Sequence, residues 1–260
     1  MHMFIGLWSR ILLNNQHKKL IHTYNVADVI SDRAVLLNYI SDLNRSPYKR
    51  LQDVLNYARQ ICVGLPSKEE LEDYFKESKG TDKGLNGKVT EYGFFGQKPN
   101  SSSKPDLVKL GIDIKATAIK TNKNGSLGAK ERLTLTNCGD TNSYDSFQNI
   151  CDNECVTQCK YSEKMNFILF ARYDDKIKNK SFDQLLHQTM FRIVYVNLEQ
   201  LPPPLFNVIQ QDYQDIRQKI VTHQVSQKGQ KMLHIHKHGN KKSTTRALGF
   251  TPAFINQLIL

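Results

Sequence analysis

The sequence predicts a mixed α/β fold in which helices come first, a mixed β-sheet core follows, and a basic segment closes the chain. Three observations carry this reading. Apolar residues recur at helical spacing over roughly residues 25–62. From residue 110 onward, short stretches alternate with period two or form brief apolar runs suited to strands. The last 45 residues hold eight Lys or Arg and four His but no Asp or Glu.

The elements follow in order. Residues 1–20 read as a leader of uncertain order. Phe4-Ile5-Gly6-Leu7-Trp8 is apolar, but Arg10 interrupts it and no small-residue cleavage site follows, so it does not read as a signal peptide. Asn25 to Asn44 reads as one amphipathic helix, and Leu51 to Cys62 as a second that ends at Gly64 and Pro66. Ser67 and Glu70 have capping-box spacing, which opens a short helix through Leu71 and Phe75. In the segment from Lys83 to Glu91, Gly84 and Gly87 fall on one helical face and would allow close backbone approach. Ser101 to Pro105 is a loop. Leu110 to Ala116 alternates as a strand with one wet edge would. Leu133 to Leu135, Asn166 to Ala171 and Phe191 to Val196 give further strands, the middle one buried. Leu201 to Pro204 reads as a loop, and Tyr213 to Ile220 as helical. Met232 to His236 reads as a strand and His238-Gly239-Asn240 as its turn. Thr251-Pro252 starts a helix through Phe254, Ile255, Leu258 and Ile259. We therefore expect a single domain over 21–260, with a helical lobe at 21–80, a core at 81–200 and a basic end at 216–260.

Composition bounds the function. The 260 residues can bury a proper core, and 39% hydrophobic with 23% charged residues excludes global disorder. No apolar run is long enough to span a membrane. Five cysteines, an odd number without a secretory signal, point to a reducing compartment and a cytoplasmic protein rather than a disulfide framework. A net charge of +11 points to a polyanion as partner, and most of that excess sits in the acid-free end.

One constellation carries chemistry. Asp113 and Lys115 stand two apart on an expected strand, so both side chains share a face while Ile112 and Ile114 take the other. Asp106 lies just before that strand. Two carboxylates can share a hard cation such as Mg²⁺, which prefers oxygen ligands. Such an ion acts as Lewis acid on a phosphate and acidifies a bound water, which the lysine can orient. The competing reading of these residues is a solvated charged strand edge.

The residues Lys83-Gly84, Gly87 and Glu91, followed by Lys104-Pro105-Asp106-Leu107-Val108-Lys109-Leu110-Gly111-Ile112-Asp113-Ile114-Lys115, resemble the MutH family. That family joins a mismatch-repair nicking endonuclease to sequence-specific type II restriction endonucleases. The resemblance is clear from Lys83 to Ile119, weaker at Asn166 to Ala171 and from about Val225 onward. It implies a restriction-endonuclease-like fold: a mixed sheet flanked by helices. By position it makes Asp106 and Asp113 the metal carboxylates, Lys115 the catalytic lysine, Glu91 the helix-borne acid, and Lys83 the basic residue opening that helix. Asp113 stands where the family often has Glu. The family also places a lysine before the buried strand, and here Lys160 and Lys164 both compete for it. The same resemblance makes the C-terminal end a reader of target bases, with Lys228, Lys231, Lys237, Lys242 and Arg246 as DNA-contact candidates. His234, His236 and His238 alternate and fit a polar DNA-facing edge better than a metal site. Cys138, Cys151, Cys155 and Cys159 are read either as small apolar residues or as a structural zinc set.

The expected function is a Mg²⁺-dependent type II restriction endonuclease acting on duplex DNA. It would work with a cognate DNA methyltransferase and as a possible homodimer, since a two-fold assembly matches a palindromic site. The alternatives are a MutH-type repair nickase and a non-catalytic basic DNA-binding protein with structural zinc.

Overall fold

The computed structural model describes residues 23–77, 84–100, 104–173, 181–225 and 227–260. The expected leader over 1–20, Lys83 and the 101–103 part of the expected loop lie outside these residues.

The N-terminal part is helical, as its apolar spacing predicts. A two-residue strand β1 (Tyr24–Asn25) leads into α1 (Val26–Val29), α2 (Arg33–Asn44) and α3 (Leu51–Ile61). The single helix expected over 25–44 is in fact two. Asp32 breaks it by capping α2, its Oδ1 accepting the backbone N–H groups of Ala34 and Val35. A carboxylate in that role competes with continuing the helix through it. β2 (Cys62–Val63) then pairs in parallel with β1. Ser67 and Glu70 form the expected capping box at the start of α4 (Lys68–Phe75), and α5 (Leu85–Phe95) ends at Gly96 in the left-handed conformation, φ 63°.

Two sheets follow. β3 (Asp113–Thr121), β4 (Leu127–Ala129), β6 (Phe167–Tyr173) and β7 (Met190–Val196) form the first, in the order β4-β3-β6-β7. β3 and β6 are parallel, and the other pairs antiparallel. β5 (Leu133–Asp140), β9 (Thr245–Phe250) and β8 (Leu233–Lys237) form the second, antiparallel throughout, in the order β5-β9-β8. Short helices α6 (Gln148–Asp152) and α7 (Phe182–Leu186), the long α8 (Pro203–Val221) and the terminal α9 (Pro252–Ile259) complete the described elements.

Some boundaries differ from expectation. The strand expected from Leu110 starts at Asp113, because Leu107 bridges back to Ile112 and Gly111, φ 65°, turns the chain between them. The loop expected at Leu201–Pro204 is the start of α8: Pro203 and Pro204 occupy its first positions, where a missing N–H costs nothing. The basic end joins the second sheet, where β9 sits between β8 and β5. Its strand, turn and terminal helix otherwise follow the expected order, with Thr251 Oγ1 capping α9 through Phe254 N.

β6 lies between two hydrophobic cores. Ile168 and Phe170 face the core of the N-terminal helices, while Phe167, Leu169 and Ala171 face the core formed with α8, α9 and the second sheet. The parallel register puts Asp113 beside Phe167 and Lys115 beside Leu169. Paired residues share a face, so Asp113 and Lys115 point toward the side of the basic lobe and Ile114 toward the helical core.

Candidate active site

Asp113 opens β3 and is 1% exposed. Its Oδ2 meets Lys115 Nζ at 2.9 Å, an ion pair between the two side chains that period two puts on one face. Its Oδ1 meets Lys164 Nζ at 3.0 Å and accepts from the Asp106 backbone N–H at 3.3 Å. Asp106 returns the contact, its Oδ2 accepting from Ile114 N at 2.7 Å. The tight turn through Gly111 makes this exchange possible, because it folds Asp106 back beside the first residues of β3. Each acid is thus oriented by backbone from the other's neighbourhood, a fixed arrangement rather than a mobile charged edge.

Glu91, on α5, completes the group. Burial pushes its carboxyl up to about 7, with Asp106 adding to the rise and Lys115 opposing it. Burial also raises Asp106, while the Ile114 N–H lowers it. Three carboxylates therefore lie near two lysines, and burial, with the Asp106 charge adding to it, raises Glu91. The close helix approach expected at Gly87 is found instead at Gly93. A Cβ on Gly93 would lie 2.6 Å from Leu55 Cδ2, whereas one on Gly87 would meet nothing nearer than Glu91 Oε1 at 3.6 Å. Gly93 thus sets the approach of α5 to α3, two residues from the acid.

The choice between Lys160 and Lys164 is made by geometry. Lys164 sits in a 3₁₀ turn (Ser162–Met165) directly before β6 and reaches Asp113. Lys160 is exposed, its Nζ 5.0 Å from the Tyr161 ring centroid. The only signal in the sequence is that Lys164 stands nearer to the buried strand.

The donor chemistry suits a hard divalent cation, which takes carboxylate oxygens and keeps several waters. Among the described residues no three His, Cys, Asp or Glu side chains converge closely enough to hold a metal ion. Asp106 and Asp113 are the pair that would hold such an ion, with Glu91 nearby. The cysteines do not converge either. Cys138 Sγ contacts the Arg246 carbonyl, Cys155 Sγ contacts Thr157 Oγ1, and Cys159 Sγ contacts Asn149 Oδ1. Burial pushes the Cys138 thiol up to about 12 and raises Cys159.

The basic candidates divide. Lys228 and Lys231 precede β8, Lys237 ends it, and Lys242 lies in the following turn; all four are exposed. Arg246 departs from the expectation. It is 7% exposed, and its Nη1 donates to the Thr244 and Thr245 carbonyls. The histidines are also less open than expected. His234 and His236 share a face with ring centroids 4.8 Å apart, but His236 is 7% exposed and pairs through Nε2 with Thr134 Oγ1. Burial lowers both, to about 4 and about 3, so they stand neutral at pH 7. His238 remains exposed in the turn.

Comparison with known proteins relates part of the chain to a family. Residues 95–194 match the model of the family described as DNA mismatch repair enzyme MutH. That range contains Asp106, Asp113, Lys115 and Lys164 together with β3, β6 and most of β7. The chain is also 30% identical over 127 residues to the type II restriction enzyme Sau3AI of Staphylococcus aureus. The match covers 49% of this chain and 23% of that protein's length. With its mixed sheet and flanking helices, the fold is restriction-endonuclease-like, and the region built around β3 and β6 is similar to the MutH family.

Proposed function

We propose that this chain is an endonuclease that hydrolyses phosphodiester bonds of duplex DNA at a specific sequence, using Mg²⁺, in the manner of type II restriction enzymes. The observation that carries the reading is Asp113, buried between Lys115 and Lys164 and locked to Asp106. Asp106 and Asp113 would hold the ion, which supplies Lewis-acid stabilisation of the scissile phosphate and an acidified water. Lys115 would orient an attacking water and set its charge against the phosphate. Lys164 fixes the second oxygen of Asp113, so the carboxylate keeps one orientation. Glu91, with its carboxyl near 7, can hold or release a proton beside the acids. By the family resemblance, Lys83 would be a further DNA-binding residue. Lys228, Lys231, Lys237 and Lys242 grip the DNA, and their phosphate contacts supply affinity rather than sequence. On this reading the protein works in the cytoplasm beside a methyltransferase that protects the same site, and two copies act on a palindrome.

The test is plasmid cleavage with and without Mg²⁺ by wild type, Asp113→Ala and Lys115→Ala. We expect wild-type cutting only with the metal, and loss of cutting in both variants; undiminished cutting by both variants would sink the assignment. Linear product without added proteins supports the restriction reading. Nicked circles alone would favour the MutH-type repair nickase, to which the family match also points.

A further inference from the structure

Lys228 and Lys231 stand on a segment without regular secondary structure, yet that segment is tied down at several points. The ties come from α8. Asp212 and Asp215 lie three apart on that helix and are the last two acids in the sequence. Asp212 is 6% exposed, and its carboxylate accepts three successive backbone N–H groups: Lys231 at 2.9 Å, Met232 at 2.5 Å and Leu233 at 2.9 Å. One turn on, Asp215 Oδ2 accepts from Gln230 Nε2 at 2.5 Å and from Lys219 Nζ at 2.6 Å. Lys219 Nζ also donates to the Lys228 carbonyl at 3.0 Å. Gly229, φ 142°, lets the chain pass that ammonium, since a Cβ there would lie 3.2 Å from Lys219 Nζ. Each tie uses backbone or Gln230, and the Lys228 and Lys231 side chains are left exposed.

A buried carboxylate with three amide donors is a strong, charge-assisted anchor. We propose that Asp212 is a positioning residue for DNA binding. It fixes residues 228–233 before DNA arrives, so that Lys228 and Lys231 meet the phosphates without an ordering cost, and Asp215 with Lys219 forms an outer latch on the same segment. The inference rests on the DNA-contact reading of the two lysines, and its test separates the two.

The experiment compares the full chain with Asp212→Asn, which removes the charge and turns one acceptor into a donor. By hydrogen exchange, wild-type amides of 231–233 should exchange slowly. In the variant they should lose about tenfold protection, as removal of one hydrogen-bonded anchor implies, while β9 keeps its own. DNA affinity should fall about fivefold with the rate at saturating DNA within about twofold, because preorganisation acts on binding. The deciding arm places Asp212→Asn on a Lys228→Ala/Lys231→Ala background, where it should add no further loss. An equal loss on both backgrounds overturns the positioning role, since a general structural effect would be additive. Fast wild-type exchange at 231–233 overturns the anchor whatever DNA does. Protected amides together with wild-type affinity in Lys228→Ala/Lys231→Ala overturn the DNA-contact reading, and the positioning role with it. Should Asp212→Asn fail to fold, Asp215→Ala tests the outer latch, with a smaller loss and the same non-additivity expected.

Discussion

At the start of β3, charged groups are packed against one another away from water: Asp113 between Lys115 and Lys164, Asp106 turned onto Ile114 N, Glu91 raised to about 7 beside them. Around β8, Lys228, Lys231, Lys237 and Lys242 stand in water, with no acid after Asp215. The first region is nearly neutral and depends on orientation to within a hydrogen bond. The second carries the net charge and depends on reach. Burial makes the first intolerant of substitution, because removing one partner leaves another charge uncompensated. Solvent makes the second tolerant residue by residue and sensitive to salt. The acids of α8 link the two behaviours by giving an exposed basic segment a buried anchor.

The sharpest way to break this contrast is Asp113→Asn. Cleavage should fall by at least about 10³-fold, the scale expected when a charged group is removed from a hydrolytic site, while DNA affinity changes only a few-fold. A variant that loses binding in parallel with cleavage would show that the two regions are not separable; single-turnover rates beside gel-shift affinities make the measurement. Next comes the lysine pair. Lys164→Ala should cost about 10²-fold in cleavage rate, and Lys160→Ala should change it by less than about twofold. Equal effects would remove Lys164 from the site.

In the basic lobe, Lys228→Ala with Lys231→Ala should flatten the plot of log affinity against log salt by about 1.8, roughly 0.9 for each phosphate no longer neutralised. Arg246→Ala should leave that slope unchanged and lower unfolding free energy by about 1–2 kcal/mol, since it releases the Thr244 and Thr245 carbonyls. A changed slope in Arg246→Ala would return it to the DNA face. The smallest effect concerns pH. His234 and His236 titrate at about 4 and about 3 when folded and near 6.5 when unfolded. The unfolded chain therefore binds more protons between those values, so stability is full above about 6.5 and declines as pH falls toward 4. Denaturant midpoints measured from pH 7 to pH 5 should decline, and His234→Gln with His236→Gln should flatten the decline.

Much of the site is legible in the sequence because its logic is local. Asp113 and Lys115 pair because period two puts them on one strand face, and Asp106 lies within reach across a short turn. Ser67 with Glu70 and Thr251 with Pro252 mark helix starts through hydrogen bonds that span three residues. The break at Asp32 is also local, but a long apolar pattern masks a good cap. The prolines at 202–204 mislead for the opposite reason: they suit the first turn of a helix as well as a loop.

Other features depend on which distant segments meet. Lys164 prevails over Lys160 because the parallel register of β3 and β6 delivers the turn before β6 to Asp113, some fifty residues away. Arg246 is buried because β9 lies between β8 and β5, which no periodicity within the last 45 residues specifies. Asp212 anchors the basic segment because α8 packs against β8, bringing a carboxylate to three amides about twenty residues on. By itself the sequence determined the acids, the strand-borne lysine, the caps and the uneven division of charge, all set by spacing and short-range hydrogen bonding. Only the tertiary structure decided which lysine completes the site, which arginine is withdrawn from solvent and what holds the basic segment in place. Burial and long-range pairing are properties of the packed chain and have no local signature.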